Sequence, residues 1–278
     1  MANTQEQHGY NPDYNPTGIE GGLDTNQLPW LPVPQADGMF IKPLRASLET
    51  GFFSSIIKLS AGTTLPGLFW FGGCDLLILS GEASWEMPDA TASLEPGVWG
   101  YMPANTRTGA VRADSDVEIL LNSYSAMGFL DQSRKLAGCL TGVDLQVMAR
   151  GEKITLVPST LADCMQDRPE PYPGKGEPLA IASGNSEMLV QLPEDGSAAD
   201  IDSPHFVDTR KVPWLSTEAM ADIGLKILRV SEDSGFISLI VRHNGTAPPH
   251  THLGASDFLI LGGQLGYRAG PQEGYGPG

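Results

Sequence analysis

The residues from Asp24 to Ser60 recur, altered but aligned, 184 positions later. "DTNQLPWLPVPQADGMFIKPLRASLETGFFSSIIKLS" and "DTRKVPWLSTEAMADIGLKILRVSEDSGFISLIVRHN" agree at 13 of 37 positions, among them Pro29/Pro213, Trp30/Trp214, Arg45/Arg229 and Gly51/Gly235. After small insertions and deletions the match resumes as "DLLILSGE" from Asp75 against "DFLILGGQ" from Asp257, and Pro96-Gly97 then matches Pro277-Gly278. A duplicated supersecondary unit calls for two similar domains.

Inside each copy the pattern is that of strands. "GFFSSIIKLSAG" and "GFISLIVRHNG" are rich in β-branched and aromatic residues and bounded by glycine. "DLLILSGEASWEM" and "DFLILGGQLGYRA" are apolar runs broken by a glycine turn, as in a hairpin of a closed sheet. The 33 glycines and 22 prolines supply turns for many short strands, which together suggest a small barrel or jelly roll. Helical spacing is convincing only in short pieces such as "MGFLDQSRKLAGCL". After its Pro-Gly the first copy continues "VWGYMPANTRTGAVRADSDVEILLNSYS". By that standard the second lacks its last third, and the expectation is a second barrel that is C-terminally truncated or completed by something else. The expected order is a polar, poorly ordered arm (1–22), a first barrel (23–132), a connector (133–204) and an incomplete second barrel (205–278).

The formal charge of −16 repels nucleic acid and anionic membranes, which excludes both as partners. No window approaches 18 uninterrupted apolar residues, and the first 22 carry neither the basic nor the apolar segment of a secretory signal. Cys74, Cys139 and Cys164 are odd in number and lack CxxC spacing, so they read as free thiols in a reducing cytoplasm. Homo-oligomerisation stays open.

The chemistry concentrates in "APPHTHLGASDFLILGG". On a strand, residues i and i+2 share a face, so His250 and His252 project together. Two neutral imidazoles facing a barrel lumen are donors for a first-row metal, at about 2.0–2.1 Å per Zn–N bond. Asp257 follows across the small-residue turn "LGAS" and can complete a two-histidine, one-carboxylate set that leaves positions open for oxygen or substrate. Asp75 keeps that aspartate where no histidines precede it, so Asp257 can equally serve a turn or strand start.

"G245-TAPP-H250-T-H252-LGAS-D257-FLILG-G263" resembles the first motif of the cupins, and "PW" with "GYGPG" looks like the subgroup holding 2,4'-dihydroxyacetophenone dioxygenase and the zinc-binding half of ChrR-type anti-sigma factors. The resemblance covers roughly residues 22–128 and 205–278. It implies an all-β chain of two tandem cupin barrels, each a double-stranded β-helix or jelly roll. It also implies three histidines and a glutamate around one divalent metal, iron(II) or zinc(II). The chain departs from that pattern. Asp257 is one methylene shorter than glutamate, and the third histidine would lie beyond Gly278. Copy 1 carries Leu68 and Trp70 at the histidine positions and Thr108 at the third, so the first barrel is degenerate and cannot bind metal in the family's way.

The resemblance further implies a dioxygenase-like enzyme that cleaves a carbon–carbon bond next to a carbonyl in a small hydroxyketone or diketone. The rival is a non-catalytic ligand- or metal-sensing module. Phe69, Trp70, Phe71, Trp85, Trp99 and Tyr101 surround the degenerate site and either fill the lumen or line a pocket for a small aromatic ligand. Trp30 and Trp214 are expected as plugs against a barrel end. No GxSxG and no phosphate-binding loop is present.

Overall fold

The computed structural model describes residues 23–48, 50–87, 90–156, 204–216, 221–230, 237–247, 257–266 and 275–278. The 1–22 arm lies outside these residues. Two compact units divide the chain, one formed by 23–160 with 201–211 and the other holding 212–278.

In the first unit β1 (Leu31–Pro32), β2 (Met39–Ala46) and β3 (Phe53–Leu59) lead into β4 (Thr64–Leu65) and β5 (Leu68–Trp70). β6 (Cys74–Ser80), β7 (Ala83–Glu86), β8 (Thr91–Leu94) and β9 (Val98–Met102) follow, then β10 (Thr106–Arg107), β11 (Val111–Ala113) and β12 (Val117–Ser123). The hairpin of β13 (Met127–Leu130) and β14 (Leu136–Leu140) precedes α1 (Gly142–Gly151), and β15 (His205–Asp208) returns to the same unit. Every pairing is antiparallel. One sheet runs β1-β2-β3-β12-β6-β9-β15, a second β10-β5-β13-β14, a third β4-β11-β7-β8. Their inner faces share one apolar core, in which Ile41, Phe53, Leu76, Trp70, Trp85 and Leu121 are at most 2 % exposed. Non-consecutive strands side by side with little helix are the jelly-roll solution to closing a sheet.

"MGFLDQSRKLAGCL" is not helical. It is the β13–β14 hairpin, with Phe129 opposite Gly138 and a tight turn in which Asp131 N–H bonds Lys135 O at 2.8 Å. Its apolar residues happen to fall at helical spacing, but β13 pairs with β5 on one side and with β14 on the other, and tertiary pairing overrides local preference. The helix begins one residue after Thr141. Thr141 Oγ1 accepts from Asp144 N–H, and Asp144 Oδ2 accepts from Thr141 N–H at 2.8 Å, a reciprocal cap worth about 1 kcal/mol. Leu145 and Ala149 form its buried side.

In the second unit β16 (Ile223–Val230) and β17 (Ile237–His243) repeat the β2–β3 hairpin pair for pair. Met39 faces Leu59 and Ile223 faces His243; the register slips between Pro43 and Arg45 and again between Ile227 and Arg229. Each pair is its counterpart moved by the sequence offset, so the duplication preserved even the bulge. The tryptophans are duplicated with their surroundings. Trp30 stacks under Lys42 Nζ (4.5 Å) and Lys58 Nζ (4.8 Å), Trp214 under Lys226 Nζ (4.6 Å) and the Arg242 guanidinium (4.5 Å). These indoles therefore clamp the outer face of their hairpins through cation–π contacts instead of plugging a barrel end.

The copies differ in what covers them. β3 pairs with β12 on the edge away from β2, and Phe53, Ser55 and Ile57 are at most 5 % exposed. β17 pairs only with β16 among the described residues, and the matching Ile237, Leu239 and Val241 are 41 %, 38 % and 41 % exposed.

Candidate functional site

In the first unit β5 carries Leu68 and Trp70 on its inward face, so both line the lumen together with Met39, Ile57, Val111 and Leu121. The lumen is apolar and its cavity is about 30 Å³. Thr108 is fully buried, and its hydroxyl is spent on the β5 backbone: Leu68 N–H donates to Oγ1 at 3.3 Å, and Oγ1 lies 3.4 Å from Leu68 O. The three positions where the family pattern puts histidines thus carry a leucine, a tryptophan and a committed threonine. Among the described residues no three histidine, cysteine or acidic side chains gather as a metal cluster. Cys74 faces the same core, but burial, with the Asp75 charge adding to it, pushes its thiol well above the usual range and keeps it protonated.

Asp75 lies on the other face. Cys74, Leu76 and Ile78 point into the core, and the Asp75 carboxylate accepts from Asn122 Nδ2 at 2.9 Å and Tyr124 Oη at 2.8 Å. The chain reaches β6 through Gly73, whose φ of 82° is left-handed and whose place leaves no room for a side chain, since a Cβ would stand 2.7 Å from Met102 O. The alternation that puts Leu68 and Trp70 inward carries through this turn to Cys74, and Asp75 falls on the other face.

The six aromatics around this site divide. Trp70 and Trp85 line the lumen, ring centroids 6.3 Å apart. Phe69 and Phe71 contact each other edge-on at 4.5 Å, with Phe71 37 % exposed, and Trp99 stacks on Tyr101 at 6.5 Å outside the lumen cluster.

In the second unit His250 and His252 lie outside the described residues. The glycine that opens their motif, Gly245, sits against Asp222, whose carboxyl carbon would be 3.0 Å from a Cβ there, while Asn244 N–H bonds Asp222 O at 2.8 Å. Asp257 is exposed at the start of an apolar segment, and Gly278 N–H bonds Ile260 O at 3.1 Å.

The model of the ChrR cupin-like domain matches residues 20–127 and 202–276, well over half of the chain and both copies. The chain belongs to that family. This cupin also resembles solved structures. An acetylacetone dioxygenase from Acinetobacter johnsonii is 16% identical with a TM-score of 0.39, the match covering 47% of this chain and 90% of that one. An RmlC-like cupin from Ralstonia eutropha is 18% identical with a TM-score of 0.42, over 50% and 92%. A salicylate 1,2-dioxygenase variant from Pseudoaminobacter salicylatoxidans is 17% identical with a TM-score of 0.30, over 34% and 28%. No curated protein matches the chain. Among the described residues no helix is long and apolar enough to cross a membrane.

Proposed function

We propose that the second copy of this cupin is the metal-binding one and that the chain acts on a small hydroxyketone or diketone through a divalent ion, iron(II) or zinc(II), held by His250 and His252. The observation that carries this reading is the inward face of β5. Leu68 and Trp70 occupy the positions matching His250 and His252, and both line the lumen, so a second copy built alike turns two imidazoles to its interior. Two neutral imidazoles suit a first-row divalent ion. Such an ion supplies Lewis acidity toward a bidentate substrate and, as iron(II), one-electron chemistry toward oxygen.

Asp257 takes the weaker of its two roles in this reading. Its counterpart Asp75 turns away from the lumen to Asn122 and Tyr124, so Asp257 supports the strand that follows the histidines and leaves the metal to them. A reducing compartment suits the free thiols of Cys74 and Cys139.

The test is elemental mass spectrometry of the purified protein beside His252→Ala and Asp257→Asn, followed by oxygen uptake with candidate diketones. About one iron or zinc per chain, lost in His252→Ala and kept in Asp257→Asn, is expected. Metal lost equally in both variants would return Asp257 to the ligand set. Metal content unchanged by His252→Ala would end the reading.

A further inference from the structure

The first copy has lost its metal ligands, yet its lumen keeps polar groups with nothing to bond. The indole N–H groups of Trp70 and Trp85 are buried without an acceptor, on side chains only 1 % and 2 % exposed. Both indoles line the same cavity, one from β5 and one from β7, which belong to different sheets. Ser55 adds a third. Its hydroxyl is buried and unpartnered, on the face of β3 that Ile57 presents to the cavity, and its strand partner Leu121 is part of the wall.

A donor left unsatisfied in an apolar interior carries its full desolvation penalty. The two indoles in the wall, with Ser55 behind it, call for an acceptor inside the lumen. The remaining wall, including Met39, Leu76, Val111 and Met127, is apolar, and the flexible methionines let a cavity of about 30 Å³ adapt to a guest.

We propose that the first barrel is a second, metal-free binding site for one small uncharged carbonyl compound, its apolar body against the aliphatic wall and its oxygen accepting from the Trp70 and Trp85 N–H groups. One carbonyl oxygen has two lone pairs and can accept both. The absence of ionised groups from the wall excludes carboxylates, phosphates and amines, whose charge would be stranded in the lumen. This site stands whether or not the second copy binds metal, since no residue is shared.

The test is NMR of the ¹⁵N-labelled full chain, following the indole N–H signals of its five tryptophans. Trp70 and Trp85 are assigned by Trp→Phe variants or, where a variant fails to fold, by contacts to the methyls of Met127 and Val111 in the unaltered protein. The probe is acetone, and 2-methylpropene is the shape-matched control without an acceptor. Acetone is expected to shift the Trp70 and Trp85 signals downfield with saturation, leaving Trp30, Trp99 and Trp214 in place. The hydrocarbon should bind roughly 30-fold more weakly, the share of two hydrogen bonds. Three results would overturn the proposal: equal binding of both probes, a non-saturating drift of all five signals, or Trp70 and Trp85 N–H groups bonded to a resident water that acetone does not displace.

Discussion

Ile57 and Val241 occupy the same place in two copies of one hairpin, but Ile57 is 5 % exposed at the lumen wall and Val241 is 41 % exposed. Truncating each to alanine therefore measures what the rest of the barrel contributes at a fixed local geometry. Ile57→Ala removes three buried carbons. At about 0.8 kcal/mol per methylene the transfer loss is roughly 2.4 kcal/mol. The enlarged cavity raises it to about 3–4 kcal/mol, because the neighbouring sheets hold the wall in place. Val241→Ala removes two carbons already partly in water and should cost about 1 kcal/mol or less, part of it lost strand preference. In urea, with a slope of about 2 kcal/mol per molar, the first shifts the midpoint down by about 1.5–2 M and the second by about 0.5 M or less. Circular dichroism and tryptophan fluorescence followed through the same titration read both. Equal shifts would refute the reasoning, since they would mean that the β17 face is as well covered as that of β3.

Trp214→Leu should destabilise the second hairpin by about 1–2 kcal/mol through loss of the Lys226 and Arg242 stacks, and Trp30→Leu should do the same in the first. Urea unfolding checks both, and an unchanged midpoint would show that the clamps are idle. The Arg210 side chain bonded to Asp208 holds that carboxyl down to about 2. A depressed folded value means that the ion pair favours the fold above the unfolded value of 3.8 and that this contribution fades as pH falls from there toward 2. An NMR titration of the Asp208 carboxyl should have its midpoint near 2 and move toward 3.8 in Arg210→Gln; a midpoint near 3.8 in both would remove the pair from the account.

The two hairpins were legible because their signals are local. Glycine-bounded runs of β-branched residues marked β3 and β17, and the offset between copies carried over unchanged into the register. The loss of metal ligands from the first copy was equally legible, since Leu68 and Trp70 offer no donor wherever they point. What the sequence hid depends on partners far away in the chain. β13 and β14 imitate helical spacing and are strands because β13 pairs with β5 on one edge and with β14 on the other. His205–Asp208 runs into the first residue of the second repeat and yet pairs with β9 of the first barrel, with Phe206 opposite Gly100. The facing of Asp75 was legible: counting by twos from Leu68 and Trp70 through "FGGCD" puts Cys74 inward and Asp75 outward, an odd step from Trp70 just as Asp257 is from His252. Thr141 and Asp144 did spell a helix start in the sequence, three residues apart, within what read as a connector.

An alternating apolar strand with one edge unpaired among the described residues is also a template on which like strands can grow. β17 has that form, and its guard is not in its own sequence, where Arg242 supplies the charge nearest its end. It is the net charge of −16 spread over the whole chain, which keeps molecules apart before their edges can meet. Acidification toward the isoelectric pH, or salt that shortens the reach of that repulsion, removes the guard while leaving the hairpin intact.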